Sequence, residues 1–330
     1  MVTSPLVLPR PARRGSGAVA GIAVAVASAL AFSSSGPLVK PLLDGGWSLG
    51  AVLLVRMGVA ALLLSPALVG AMRRQRGFLR RHGLLIVAFG LTAVLGCQLF
   101  YFAAMQRMPV AVALLIQYIA PVLLVIAVWV RTRRAPSRAV ILGSVVAMAG
   151  LVLVVDISGA RFDLLGTLLA LCAAVCAAVY FVIAGRAGDD LPPLALAAGG
   201  LLTGTVVMAV LVASGILPFV APAITVTMLG LDVPAILPLL WVGAVATTLG
   251  YGLGVIAVPR IGSRLASFVG LSEVFFALGF AWLILGETPA PVQYVGGALI
   301  LVGVVLVKMD ASGPAETRTQ TASIPVVPAP

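Results

Sequence analysis

Arg56 and Glu273 are the two charged residues that fall deep inside long apolar runs of this 330-residue chain. If those runs cross hydrocarbon, a charge at the bilayer centre costs at least about 2.5–3.5 kcal/mol, so each needs a use or a partner. Arg56 either lines a polar cavity, snorkels toward the interface, or pairs structurally. A desolvated Glu273 could take up and release a proton, or could be a protonated or paired structural carboxyl. Uncharged polar groups accompany them. Gln98 and Tyr101 lie three apart and share a helix face, Gln117 and Tyr118 just precede Pro121, and Tyr180 and Tyr251 stand in two further runs. Amides and phenols could hold a polar or zwitterionic solute without burying further charge. The alternative for each is a satisfied hydrogen bond between helices.

Other chemistries lack their residues. The lone histidine, His82, lies in a basic loop, which leaves no conventional histidine-based catalysis. Cys97, Cys172 and Cys176 all sit in apolar runs. Cys172 and Cys176 share a helix face but have no histidine or carboxylate beside them, so they read as small packing residues rather than metal ligands. There is no phosphate loop of the Gly-Lys-Ser/Thr type and no Ser-His-Asp set. No catalytic residue, metal or cofactor is therefore expected, and any work must draw on a gradient.

The chain is 62% hydrophobic and 9% charged, against about 25% charged for soluble domains. Too few polar side chains exist to cover a water-facing surface, so lipid must be the outer solvent. Ten apolar segments can be drawn near 17–39, 48–70, 83–105, 110–130, 138–155, 164–185, 192–213, 236–258, 265–285 and 290–308. They are continuous rather than alternating, which favours helices over a barrel and gives an all-α multi-pass membrane protein. The first segment has the basic flank and Ala27-Ser28-Ala29 of a signal peptide, but its apolar stretch is too long for a signal core, and it is read as an uncleaved span. The stretch 214–235 is interrupted by Pro218, Pro222 and Asp232 and is read as an external loop. Residues 1–16 and 311–330 are read as disordered tails.

With these spans, seventeen of the 21 basic residues fall on one side. Lys40, Arg107 and Arg161 fall on the other. That split places both termini in the cytoplasm and explains the net charge of +11 without nucleic-acid binding.

Residues 90–155 recur at 243–308 with a constant offset of 153. Gly90, Ala104, Arg107, Ala113, Trp129, Pro136, Gly143 and Gly150 return as Gly243, Ala257, Arg260, Ala266, Trp282, Pro289, Gly296 and Gly303. Arg131, Arg133 and Arg134 instead become Ile284, Gly286 and Glu287. Five spans per half make the second half enter from the other side, so loss of positive charge there is what inversion requires. The expected organisation is ten transmembrane helices as two inverted five-helix repeats, 17–155 and 164–309. In the first span, Pro37 frees a backbone carbonyl that Ser33, Ser34 or Ser35 could occupy, marking either a flexible helix or a simple kink.

Leu271-Ser272-Glu273-Val274, Leu285-Gly286-Glu287-Thr288 and the run Gly296 to Gly303 resemble the close of a repeat in EamA-type carriers of the drug/metabolite transporter superfamily. Gln117-Tyr118-Ile119-Ala120-Pro121, Gly143 to Gly150, and Arg56 are similar in the first half. Val274 stands where a proline is common, which concerns only local bending. The resemblance implies ten helices about a central cavity and export of amino acids or other small metabolites, sometimes drugs. The Gly166 to Arg186 and Glu273 regions are similar to the threonine/homoserine exporter branch, and Glu287 would cap nearby backbone.

The expected protein is a secondary transporter of the cytoplasmic membrane, exporting a small polar metabolite such as an amino acid by alternating access. Arg56, Gln98, Tyr101, Gln117, Tyr118, Tyr180, Tyr251 and Glu273 would bind substrate, with proton coupling through Glu273. Drug efflux or uptake on the same fold, and a non-transporting scaffold or sensor, are the alternatives.

Overall fold

The computed structural model describes residues 14–311 apart from 106, 108, 109, 134, 155–162, 189 and 287–289. The expected tails, Glu287 and Arg161 therefore lie outside the described residues or at their edge. Among the described residues ten apolar helices follow one another. Helix α1 runs Arg14–Ser33 and resumes as Ser35–Asp44, α2 is Leu49–Arg74, and α3 is Phe78–Phe89, Gly90–Gly96 and Cys97–Met105. Helix α4 is Val110–Gln117 and Ala120–Thr132, α5 is Arg138–Val154, α6 is Leu164–Ala184 and α7 is Pro193–Ala213. Helix α8 is Ile236–Trp241, Val242–Thr247 and Thr248–Ile261, α9 is Ser263–Gly270 and Ser272–Leu285, and α10 is Pro291–Ala311.

Among the described residues nine helices are long and apolar enough to cross a membrane. Helix α5 is shorter at 17 residues, or about 25 Å of rise. Their outward faces carry exposed leucine and valine, such as Leu62, Leu84, Val130 and Val210, as lipid contact allows. The protein is a multi-pass helical membrane protein.

The regular ladder fails at matching places in the two halves. Helix α3 contains a π-helical turn at Gly90–Gly96 and α8 one at Val242–Thr247, which overlap after the shift of 153. Helix α4 breaks at Tyr118-Ile119 and α9 at Leu271, again equivalent positions. At both breaks the bonding tightens to three residues back, with Ile119 N–H donating to Ile116 O and Leu271 N–H to Phe268 O. The α9 break precedes Val274, so bending there does not depend on a proline at that position.

The fifth helices fix how the halves are related. An added Cβ on Gly150 would lie 2.5 Å from the Gly296 carbonyl oxygen, and one on Gly143 would lie 2.8 Å from that of Gly303. Ascending α5 therefore means descending α10, so the two run antiparallel with backbones in contact. The shift of 153 carries Gly143 to Gly296 and Gly150 to Gly303, so the contact maps onto itself. An isologous pairing of this kind is what a two-fold relation between halves produces.

Two sequence expectations are corrected. The stretch 214–235 is not only a loop: β1 (Thr225–Met228) pairs antiparallel with β2 (Leu231–Pro234), a single hairpin on an otherwise helical membrane fold. Leu229 and Gly230 both take positive φ, as a tight two-residue turn demands. Val226 and Met228 pack on Leu38, Val39, Leu42 and Leu239, and Leu229 N–H donates to Ile284 O, so the hairpin covers one end of α1, α8 and α9. In α1, Ser33 and Ser34 do not occupy the carbonyl released by Pro37. Their hydroxyls donate to Leu30 O at 2.6 Å and Ala31 O at 2.8 Å, and the helix breaks at Ser34.

Candidate functional site

Arg56 lies in the second turn of α2 and is 5% exposed, so it turns inward and does not snorkel. Its Nε donates to Thr247 Oγ1 at 3.1 Å. Thr247 ends the π-helical turn of α8, and its own hydroxyl donates to Val242 O, five residues back, at 2.8 Å. The wider turn thus sets a buried acceptor opposite the guanidinium.

Glu273 lies in the first turn of the α9 segment that follows the break at Leu271. Tyr118, at the equivalent break of α4, lies beside its carboxylate. Arg56, Tyr101 and Tyr180 also lie within electrostatic reach of Glu273. Glu273, Tyr118, Tyr101 and Tyr180 are half-buried and keep accessible surface, whereas Arg56, Gln98 and Tyr251 are buried.

Gln98 and Tyr251 are repeat equivalents and touch each other. Gln98 Nε2 donates to Val94 O at 3.0 Å and to Tyr251 Oη at 3.4 Å. Tyr251 in turn donates to Ala93 O at 3.1 Å. Gln117 Nε2 approaches Cys97 Sγ at 3.5 Å. Gln98 Oε1 and Gln117 Oε1 are buried acceptors without a hydrogen-bond partner among the described residues. Aromatic rings close the walls: Tyr180 stands 6.0 Å from Tyr251 and 5.6 Å from Phe89 between ring centres, and Phe32 is 5.0 Å from Tyr251. Helix α8 approaches this cluster only because residue 254 is glycine, since a Cβ there would strike the Tyr180 hydroxyl.

All eight residues singled out in the sequence therefore converge, contributed by α2, α3, α4, α6, α8 and α9. Thr247 was missed, although it lies four residues before Tyr251 on one helix face. Cys97, read only as packing, also borders the cluster. Among the described residues no group of three or more metal-ligating side chains exists.

A fixed cation, a carboxyl at a broken helix, two buried acceptors lacking donors and four phenols form a polar island inside a lipid-facing bundle. Such an island can hold and release a polar solute, which defines a membrane solute transporter. The chain belongs to the EamA-like transporter family, whose sequence profile matches residues 19–156 and 164–309. It is 28% identical over 304 residues to a probable terminal-alkyne amino-acid exporter of Streptantibioticus cattleyicolor, covering 91% of this chain and 96% of that one. A crystal structure of 19% sequence identity superposes with a TM-score of 0.72, covering 89% of this chain and 98% of that one, and shares the fold. The protein is thus a carrier of a small-molecule substrate and not an enzyme.

Proposed function

We propose that this carrier exports small zwitterionic metabolites, amino acids foremost, across the cytoplasmic membrane by alternating access. The observation that carries the reading is the placement of Arg56 and Glu273, of opposite charge and on different halves of the chain, within electrostatic reach of one another in one interior site. A bound amino acid would set its carboxylate on the Arg56 guanidinium, in the fork geometry arginine offers. Its ammonium would meet Glu273, with Gln98 Oε1 and Gln117 Oε1 as further acceptors. The phenols of Tyr101, Tyr118, Tyr180 and Tyr251 would wall the side chain. The amino-acid exporter named above supports the substrate class.

The repeats at 17–155 and 164–309 would rock about this site, with both termini in the cytoplasm as the arginine distribution argues. Uptake of labelled amino acids into proteoliposomes tests the substrate. Arg56→Gln should abolish concentrative uptake while the protein still inserts, and normal uptake by that variant would exclude the carboxylate role. Proton coupling through Glu273 has a separate test. An imposed pH gradient should drive uptake by the wild type and not by Glu273→Gln; equal rates with and without the gradient would remove coupling.

A further inference from the structure

We infer that the hollow between the ends of α4 and α5 and the start of α9 is a binding site for the phosphodiester head group of an anionic phospholipid. The hollow has a volume of about 480 Å³. Val125, Val128 and Trp129 form one wall, while Thr132, Ser137 and Arg264 supply its polar side.

The apolar wall is continuous with lipid-facing surface, since Ile126, Val128, Trp129 and Val130 of α4 are all exposed. A ligand seated here therefore has an acyl path into the bilayer and a head group at the helix ends. Arg131, Arg133 and Arg138 are exposed on the same turn between α4 and α5 and add positive potential there. Ser137 caps α5 by accepting from Val140 N–H at 3.2 Å, so its hydroxyl hydrogen remains to be donated. Trp129 is half exposed at the same level, where an amphipathic ring suits the membrane interface.

The other repeat supplies an internal comparison. Under the shift of 153, Trp129 becomes Trp282, which is again half exposed. Thr132 becomes Leu285, Ser137 becomes Ala290, and Arg264 corresponds to Ala111. The scaffold and its tryptophan are kept at both ends, and the hydroxyls and guanidinium only at one. A preference for cationic loops on one face accounts for arginines but not for a hollow lined by one: Thr132 donates to Val128 O at 2.8 Å, which leaves the Ser137 hydroxyl as the donor that stands with Arg264 on the lining. Basic pockets between transmembrane helices are suited to anionic head groups.

The test uses the purified full-length protein, stripped of lipid in mild detergent and titrated with phosphatidylglycerol, phosphatidylcholine or inorganic phosphate. Thermal unfolding and lipid-bound mass would be read. Phosphatidylglycerol should raise the unfolding midpoint and remain bound, while phosphatidylcholine at the same concentration does little. Arg264→Gln should weaken phosphatidylglycerol binding about fivefold, the effect of one basic residue at an anionic surface. Trp282→Leu, at the opposite end, should leave it unchanged. Equal binding of the two lipids by the wild type would overturn the proposal, with no variant needed. Protection by inorganic phosphate as strong as by the lipid, or an Arg264→Gln protein that binds like the wild type, would overturn it too.

Discussion

A guanidinium held inside a lipid-facing bundle must be oriented by something, and here that group is Thr247. Hydrogen bonds to charged groups contribute about 1.5–3 kcal/mol, and a buried charge that loses its partner is penalised further. Thr247→Val keeps the shape and deletes the acceptor. The concentration for half-maximal transport should then rise by roughly tenfold or more, with the amount of protein in the membrane unchanged and Thr247→Ser restoring function. Normal kinetics in Thr247→Val would mean that Arg56 is positioned otherwise. The eight other site residues were legible because polar or charged groups are costly in apolar runs. Thr247 was not, because threonines in such helices commonly bond their own backbone, as Thr203 does to Gly199 O and Thr205 to Leu201 O. What distinguishes Thr247 is the π-helical register beneath it, and Val-Gly-Ala-Val-Ala-Thr carries no residue that announces a wider turn.

The helices themselves were legible within a few residues, because each needs about 20 apolar positions to cross the bilayer. Of their interruptions, the one in α1 was, since Pro37 and its serines marked a kink and the helix breaks at Ser34. The breaks in α4 and α9 bring Tyr118 and Glu273 together; the first is announced by Pro121, at the start of the segment that follows it, whereas the second follows ordinary apolar sequence. The hairpin had a signal, since Thr225-Val226-Thr227-Met228 alternates and Gly230 suits a positive φ, but its apolar surroundings disguised it. The glycine contact of α5 with α10 yields a prediction at this scale. Gly150→Leu and Gly303→Leu each place atoms on the opposing backbone, and overpacking of this kind costs about 1–3 kcal/mol. Both variants should unfold at lower temperature in detergent, whereas Gly83→Ala, which meets nothing within 4 Å, should not. A Gly303→Leu protein as stable as the wild type would mean that the fifth helices are not locked together.

The molecule as a whole is organised by its approximate two-fold relation, and its asymmetry lies in charge. Gln98 meets its own equivalent Tyr251, and the fifth helices meet through exchanged glycines, so the relation passes through the site. Loop contacts agree with this threading. Arg81 reaches Asp190 at 3.5 Å and Arg107 reaches Asp163 at 3.7 Å, and each pair joins loops that the span count puts on one side. Both pairs are partly or largely exposed and contribute little to stability, so their worth is as markers of which loops are neighbours. The repeat offset makes this topology readable in the sequence, because Arg133 sits where the second half has Gly286. In a background with Cys97, Cys172 and Cys176 replaced, a cysteine at 133 should react with an impermeant maleimide only in inverted vesicles. A cysteine at 286 should react only in intact cells. Labelling of both from the same side would contradict the inversion, and with it the assignment of Arg56 and Glu273 to opposed halves of one site. Labelling from opposite sides but in reverse order would keep the fold and invert the transporter, so that the arginine-rich face, and the phospholipid hollow with it, would face outward.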